Sequence, residues 1–224
     1  MKRADGLEIY ISQGAKPGLG GQLMANKVTP ELAAIRGIPA GIDLRSPSRH
    51  PDILGADDLV IKVEELREAT DHKLPVSVKP GAGRVRDDIK IAAKDGFDFI
   101  ELDGMQGSIG AGSAKVIEYV GIPTLSAIVE AIDALHEIGY RDKIQLVLMG
   151  GLRDGIDAVK SLCLRADAVA LGTSTIDAGH ALPHMAAHTG DAAPGDDGRG
   201  VKRQKLNRRT STGSLKRCAG KSPR

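Results

Sequence analysis

Four stretches of this chain carry residue types that handle anions. The first is SQGAKPGLGGQLMANKVTPELAAIRG (Ser12–Gly37), a Gly-rich run bearing Lys16, Gln22 and Arg36. An ammonium and the two-pronged guanidinium fork suit an anionic substrate; the alternative is a solvated surface Lys and Arg. The second is PVSVK, whose last residue, Lys79, follows an apolar run. A cation at that point stabilises negative charge on a reduced cofactor, unless it only snorkels. The third is ELDGMQGSIGAGS (Glu101–Ser113), in which Gln106 and Gly107 sit among glycines that let backbone approach a flat ring or a phosphate, or simply make a flexible loop. The fourth is QLVLMGGLRDGIDAVKSLCLRADAVALGTS (Gln145–Ser174). Here Gly150 and Gly151 close one apolar run, Asp154 is placed to cap a helix, and Gly172 and Thr173 close the next run. Paired strand-end glycines of this kind offer N–H groups to a phosphate. Strand-to-helix turns also favour Gly for their own sake.

These residues need elements to hold them. Six short runs read as strands: Leu7–Ser12, Pro75–Lys79, Phe97–Leu102, Ile122–Ala127, Ile144–Gly150 and Asp167–Gly172. Most are near-continuously apolar, as in parallel strands covered on both faces. Helical periodicity separates them over Ala56–Thr70, Val85–Gly96, Leu125–Gly139 and Asp154–Arg165, and Thr29-Pro30 starts a shorter helix. The Gly-rich stretch after Gln13 reads as a strand-free loop. Repeated strand-then-helix units give an α/β fold with a parallel sheet. The strands recur at the spacing of a (β/α)8 barrel, where about 250 residues make eight units, so the expectation is a partial TIM barrel of about six βα units.

Composition bounds the rest. The net charge of +2 hides an asymmetry: ten Lys/Arg against three Asp/Glu from Asp191 onward give +7, leaving −5 for the first 190 residues. Aromatics are only 2%, so the core is aliphatic. Two distant cysteines, Cys163 and Cys218, suit a reducing compartment. With no secretory leader and no apolar run near the roughly 20 residues of a membrane span, a cytoplasmic protein is expected. The division is a barrel fragment over 1–182 and a disordered basic tail over 183–224. His180, His184 and His188 have helical spacing, but Pro183 interrupts them, and no metal site is assigned. The tail lacks aromatic interleaving, so no specific nucleic acid is expected as partner.

Taken in order, SQGAKPGLGGQL, KVTPELAAIRG, SPSRHPDI, VSVK, DGMQGSIGAGS and GGLRDGIDAVK…ADAVALGTS resemble the FMN-binding region of the glutamate synthase large subunit. The shorter stand-alone members, including the N-methylglutamate synthase subunit, are the nearer likeness, which covers about Leu7 to Leu182. The resemblance implies a flavoprotein oxidoreductase of glutamate biosynthesis and nitrogen assimilation. Reduced FMN would pass a hydride to 2-iminoglutarate, formed from 2-oxoglutarate and ammonia or methylamine. It implies that Lys16, Gln22 and Arg36 hold the 2-oxoglutarate carboxylates, with Lys16 and Lys79 as the catalytic pair. Lys79, Gln106, Gly107, Gly150, Gly151, Asp154, Gly172 and Thr173 would contact FMN.

The sequence also departs from that pattern. The family's barrel has two strands upstream of LEIYIS, and it continues past ALGTS into a cysteine-rich stretch holding a 3Fe–4S cluster. Such a cluster takes about three close thiolates; only Cys218 follows, so the cluster is expected to be absent. Ser108 stands where the family prefers Gly, and Pro80 where it prefers an apolar residue. The switch in composition after Leu182 suggests a truncated or frame-shifted copy. Electrons would then come from other synthase subunits or a partner reductase. Two alternatives remain open: an inactive remnant that binds FMN weakly, and a barrel for a phosphate ligand without flavin.

Overall fold

The computed structural model describes residues 4–175 except 109 and 111. The basic tail 183–224 and the three spaced histidines lie outside the described residues. Five parallel strands form one sheet: β1 (Leu7–Tyr10), β4 (Val76–Lys79), β5 (Phe99–Asp103), β6 (Gln145–Met149) and β7 (Ala168–Val169), in that order across the sheet. A separate two-stranded antiparallel ribbon joins β2 (Gln22–Leu23) to β3 (Leu44–Arg45). Sheet order follows chain order without reversal. A doubly wound sheet reverses at a switch point, whereas a barrel does not. With right-handed crossovers, unreversed order lays the helices on one face. The fold is therefore α/β, a partial (β/α)8 barrel that stays open among the described residues, since β1 and β7 each pair on one side only.

The strands alternate with period two. Ile9, Val76, Val78, Ile100, Leu102, Leu146 and Leu148 face one side and are buried there. They pack against α2 (Ala56–Glu68) through Val63, α3 (Val85–Lys94) through Ile89, and α5 (Thr124–Glu137) through Ile128 and Leu135. The opposite face carries Glu8, Tyr10, Ser77, Lys79, Glu101 and Asp103. Phe99, Val147 and Met149 share that second face. β1 and β4 are thus apolar on one face and polar on the other, which corrects the expectation of apolar cover on both for them, whereas β6 is largely apolar on both.

Three further expectations change. Ile122–Ala127 is not a strand. Pro123 takes the N-cap position, and Thr124 begins α5, because the helical apolar spacing runs back from Ile128 to Thr124. Ile122 keeps only two ladder-like bonds, donating to Ala82 O (2.8 Å) and accepting from Met105 N (2.9 Å). Among the described residues the sheet accordingly has five strands rather than six. The Gly-rich loop is not strand-free, since Gln22–Leu23 pairs with Leu44–Arg45. A short helix, α4 (Ala114–Tyr119), follows the third Gly-rich stretch. The helix at Thr29-Pro30 forms as expected: α1 (Pro30–Arg36) has the Thr29 hydroxyl accepting from Leu32 N at 3.2 Å. Helix α6 spans Gly155–Cys163. No helix among the described residues is long and apolar enough to cross a membrane.

Asp95, at the end of α3, is 8% exposed, and among the described residues its Oδ2 has no partner. Burial, with a smaller push from Asp57, raises its pKa to about 6. The folded state therefore binds this proton more tightly than the unfolded chain does. The stability from that proton is full below about pH 4 and is lost as pH rises through 6. Asp95→Asn is predicted to raise the thermal midpoint at pH 7 and leave it unchanged at pH 4. Thermal melts of both proteins at the two pH values check this, and equal midpoints at pH 7 would contradict it.

Candidate functional site

Parallel strands all end on the same side, and the loops that follow them interlock there. Gly14 N, after β1, donates to Asp103 Oδ2 at the end of β5 (3.0 Å). Ala15 N donates to Gly107 O (2.9 Å), Ala82 N to Asp103 O (2.8 Å) and Gly104 N to Met149 O (3.0 Å). The contacts are too close for side chains. A Cβ on Gly14 would overlap the Gly104 carbonyl, and one on Gly151 would overlap the Gln106 side chain. Ala170 N, after β7, donates to Leu148 O (2.9 Å), which brings Gly172 beside the end of β6. The Lys16 loop thus lies at the same end of the sheet as Gly150, Gly151 and Gly172.

Lys79 ends β4 on the polar face of the sheet. Its Nζ lies 3.7 Å from Asp103 Oδ2 and 5.0 Å from the centre of the Tyr10 ring. Asp103 is 2% exposed. Burial pushes its carboxyl up from the ordinary range, while the Gly14 N–H and the Lys79 charge pull it back. The Tyr10 hydroxyl is pushed up to about 12 by burial, then by Asp103 and Glu8. Lower on the same face, Ser77 Oγ donates to Glu101 Oε1 (2.9 Å). Burial and the neighbouring Glu101 carboxylate hold Glu8 above its usual range.

Lys16 is buried at 3% exposure. Its Nζ donates to Gly20 O (3.1 Å), and among the described residues no carboxylate pairs with it. Burial lowers its pKa. The loop is shaped by Ser12 Oγ, which accepts from Gly18 N (3.0 Å). Lys16 opens on a cleft of about 460 Å³ whose lining includes Gln22, Arg45, Ser46 and Ser113. The structure thus brings Lys16 and Gln22 together. Arg36 lies exposed in the last turn of α1 and does not line this cleft.

Of the remaining expected site residues, Gln106, Gly107 and Asp154 have identifiable local partners. Gln106 Oε1 accepts from Thr124 N (3.0 Å) and Thr124 Oγ1 (2.7 Å). Gly107 leaves room for the Asp103 carboxyl. Gly150 and Gly151 have φ of 108° and 70°, a backbone region that side chains rarely enter. Asp154 caps α6, accepting from Ile156 N (2.9 Å) and Asp157 N (3.0 Å). Gly172 and Thr173 are exposed, and a Cβ on Gly172 would meet no described atom within 4 Å. Beside them, Ser174 Oγ is buried without a partner among the described residues. Sequence reasoning did not single out Asp103, Tyr10, Glu101 or Arg45. The first three were signalled by polar residues alternating with Leu and Ile in LEIY and FIELD. Arg45 carried no such signal, because its place depends on pairing with Gln22.

The family model described as the conserved region in glutamate synthase matches residues 1–212. A glutamate synthase large subunit-like protein of Rhizobium meliloti is 49% identical over 185 residues, which are 82% of this chain and 42% of that protein. The archaeal glutamate synthase (NADPH) of Methanocaldococcus jannaschii is 40% identical over 177 residues, 79% of this chain and 35% of that one. The ferredoxin-dependent glutamate synthase of Cyanidium caldarium is 36% identical over 87% of this chain and 13% of its own length. The chain therefore spans less than half the length of these curated relatives. Among solved structures, a flavocytochrome b2 variant with pyruvate bound aligns with 77% of this chain and 37% of its own, at 22% identity and a TM-score of 0.49.

The interlocked loops make one prediction about packing. Gly14→Ala forces a methyl into the Gly104 backbone and is expected to destabilise the fold by more than about 2 kcal/mol. Gly172→Ala, which meets nothing within 4 Å, is expected to stay within about 0.5 kcal/mol of the unmodified chain. Urea unfolding of the two variants measures the difference, and equal midpoints would contradict the packing described.

Proposed function

Because this chain belongs to the glutamate synthase family, we propose that it serves a glutamate synthase-type oxidoreductase, in which its strand-end loops hold both a 2-oxo dicarboxylate and FMN. The observation that carries this reading is Lys16. A buried ammonium with no carboxylate partner is costly unless an anion comes to meet it, and Lys16 faces a cleft at the same end of the sheet as Lys79 and the Gly150–Gly151 turn. The donor set fits a flavin with a phosphate tail. Lys79 supplies a cation beside the sheet mouth, and the orphaned Ser174 hydroxyl lies next to open backbone at Gly172. Gly150, Gly151, Gly172, Thr173 and the Asp154-capped turn would surround the phosphate, and Gln106 and Gly107 would border the ring.

FMN, when bound, would supply the hydride that reduces 2-iminoglutarate to glutamate, the imine arising from 2-oxoglutarate and ammonia or methylamine. The chain's own part is to position and to balance charge. Lys16 and Gln22, which line the cleft, would bind one carboxylate. Two of the three Lys16 N–H groups remain for this after Gly20 O takes one. Lys79, fixed by Asp103, would face negative charge that develops on the flavin pyrimidine edge. An iron–sulfur cluster does not fit: the chain has two cysteines, fewer than the roughly three thiolates such a cluster takes. A partner reductase or another synthase subunit would deliver the electrons, and the work would be done in the cytoplasm.

One observation favours a second reading, an inactive remnant: the sheet has open edges at β1 and β7 among the described residues. FMN titration separates the two. Saturable quenching of flavin fluorescence is expected, with a Kd weaker than about 1 μM. Lys79→Met is expected to weaken binding about tenfold, and Lys79→Arg to preserve it. No saturable quenching up to millimolar FMN would overturn the proposal in favour of the remnant.

A further inference from the structure

The cleft that Lys16 opens on has a second cation. Arg45 lies on β3 directly opposite Gln22 on β2. Residues facing each other across an antiparallel pair project to the same side of the ribbon. Gln22 and Arg45 both line the cleft, as does Ser46. Ser46 N is tied to Gly21 O at 2.9 Å. A side chain at Gly21 would stand 3.6 Å from Lys16 Nζ and 3.3 Å from Ser46 Oγ, so the bare Gly21 backbone lies close to both the ammonium and the hydroxyl. Among the described residues Arg45 forms neither an ion pair nor a side-chain hydrogen bond. The cleft therefore has two cations, both without a counter-anion, an amide and a hydroxyl. One carboxylate would satisfy the buried Lys16 and leave Arg45 free.

We propose that Arg45 determines specificity at this cleft: its guanidinium takes the second carboxylate of a dicarboxylate 2-oxo acid whose first carboxylate is held by Lys16. The inference rests on the keto-acid reading above and adds what that reading lacks, a residue that distinguishes two negative charges from one. A guanidinium fork matches a carboxylate in two parallel hydrogen bonds. A monocarboxylate of the same length would leave the fork unpaired and gain nothing from it.

The test is calorimetric titration of 2-oxoglutarate and of 2-oxopentanoate, the isostere without the second carboxylate, into the full chain and its Arg45→Gln, Arg45→Lys and Arg36→Gln variants. Arg45 is exposed, so its replacement is expected to leave the fold intact, and circular dichroism verifies this. The unmodified chain is expected to prefer 2-oxoglutarate by at least about tenfold. Arg45→Gln abolishes the preference by weakening 2-oxoglutarate alone, Arg45→Lys restores part of it, and Arg36→Gln retains it. If Arg45→Gln keeps the full preference while Arg36→Gln loses it, this inference falls and the keto-acid reading stands. If the unmodified chain binds neither acid, the keto-acid reading falls and this inference with it.

Discussion

The Asp103 carboxylate is the point on which the mouth of the sheet depends. It is almost fully buried at the end of β5, and it meets the Gly14 N–H from one strand-end loop and the Lys79 ammonium from another. Its own carbonyl receives Ala82 N, and the absence of a side chain at Gly107 leaves it room. The loop after β1, the end of β4 and the turn that follows it therefore meet at one residue. Breaking a buried pair by removing one partner typically costs about 3–5 kcal/mol, because the remaining charge stays buried and unpaired. That cost is a large share of a domain's total stability. Asp103 therefore couples the position of Lys79 to that of the loop carrying Lys16.

The two faces of the sheet divide the labour. The helix-covered face is aliphatic and carries the burial that holds the strands in register. The other face brings carboxylates, a hydroxyl, a phenol and an ammonium together, and burial raises Glu8 and, more deeply placed, Asp103 above their usual range. Such a face is expensive to build unless its groups pair, and here they do: Ser77 with Glu101, Lys79 with Asp103 and Tyr10. The polar face and the glycine-rich rim together give one end of the sheet a polar, backbone-lined opening.

Much of this was legible in the sequence because the signals were local. Helical spacing in α2, α3, α5 and α6, the Thr29-Pro30 start of α1, the cap at Asp154 and the glycines after β6 each follow from neighbouring residues. The reading failed where a decision depended on distant partners. Ile122–Ala127 has strand-forming composition, yet Pro123 and the apolar spacing beyond it commit Thr124 to a helix. Gln22–Leu23 became a strand only because Leu44–Arg45 came to pair with it. Asp103 ended an apolar run and drew no notice, since its importance comes from Gly14, 89 positions away. Arg45 likewise drew no notice, since the ribbon that sets it opposite Gln22 joins residues far apart in the chain.

The most direct measurement of the central claim is amide hydrogen exchange in Asp103→Asn beside the unmodified chain, resolved over the segments containing Gly14–Ala15 and Gly104–Gly107. If Asp103 ties these loops together, both segments lose protection in the variant while the core of α5 keeps its own. If Gly14 and Ala15 exchange at the same rate in both proteins, the loops are held by something else, and the account of a single coupled mouth is wrong.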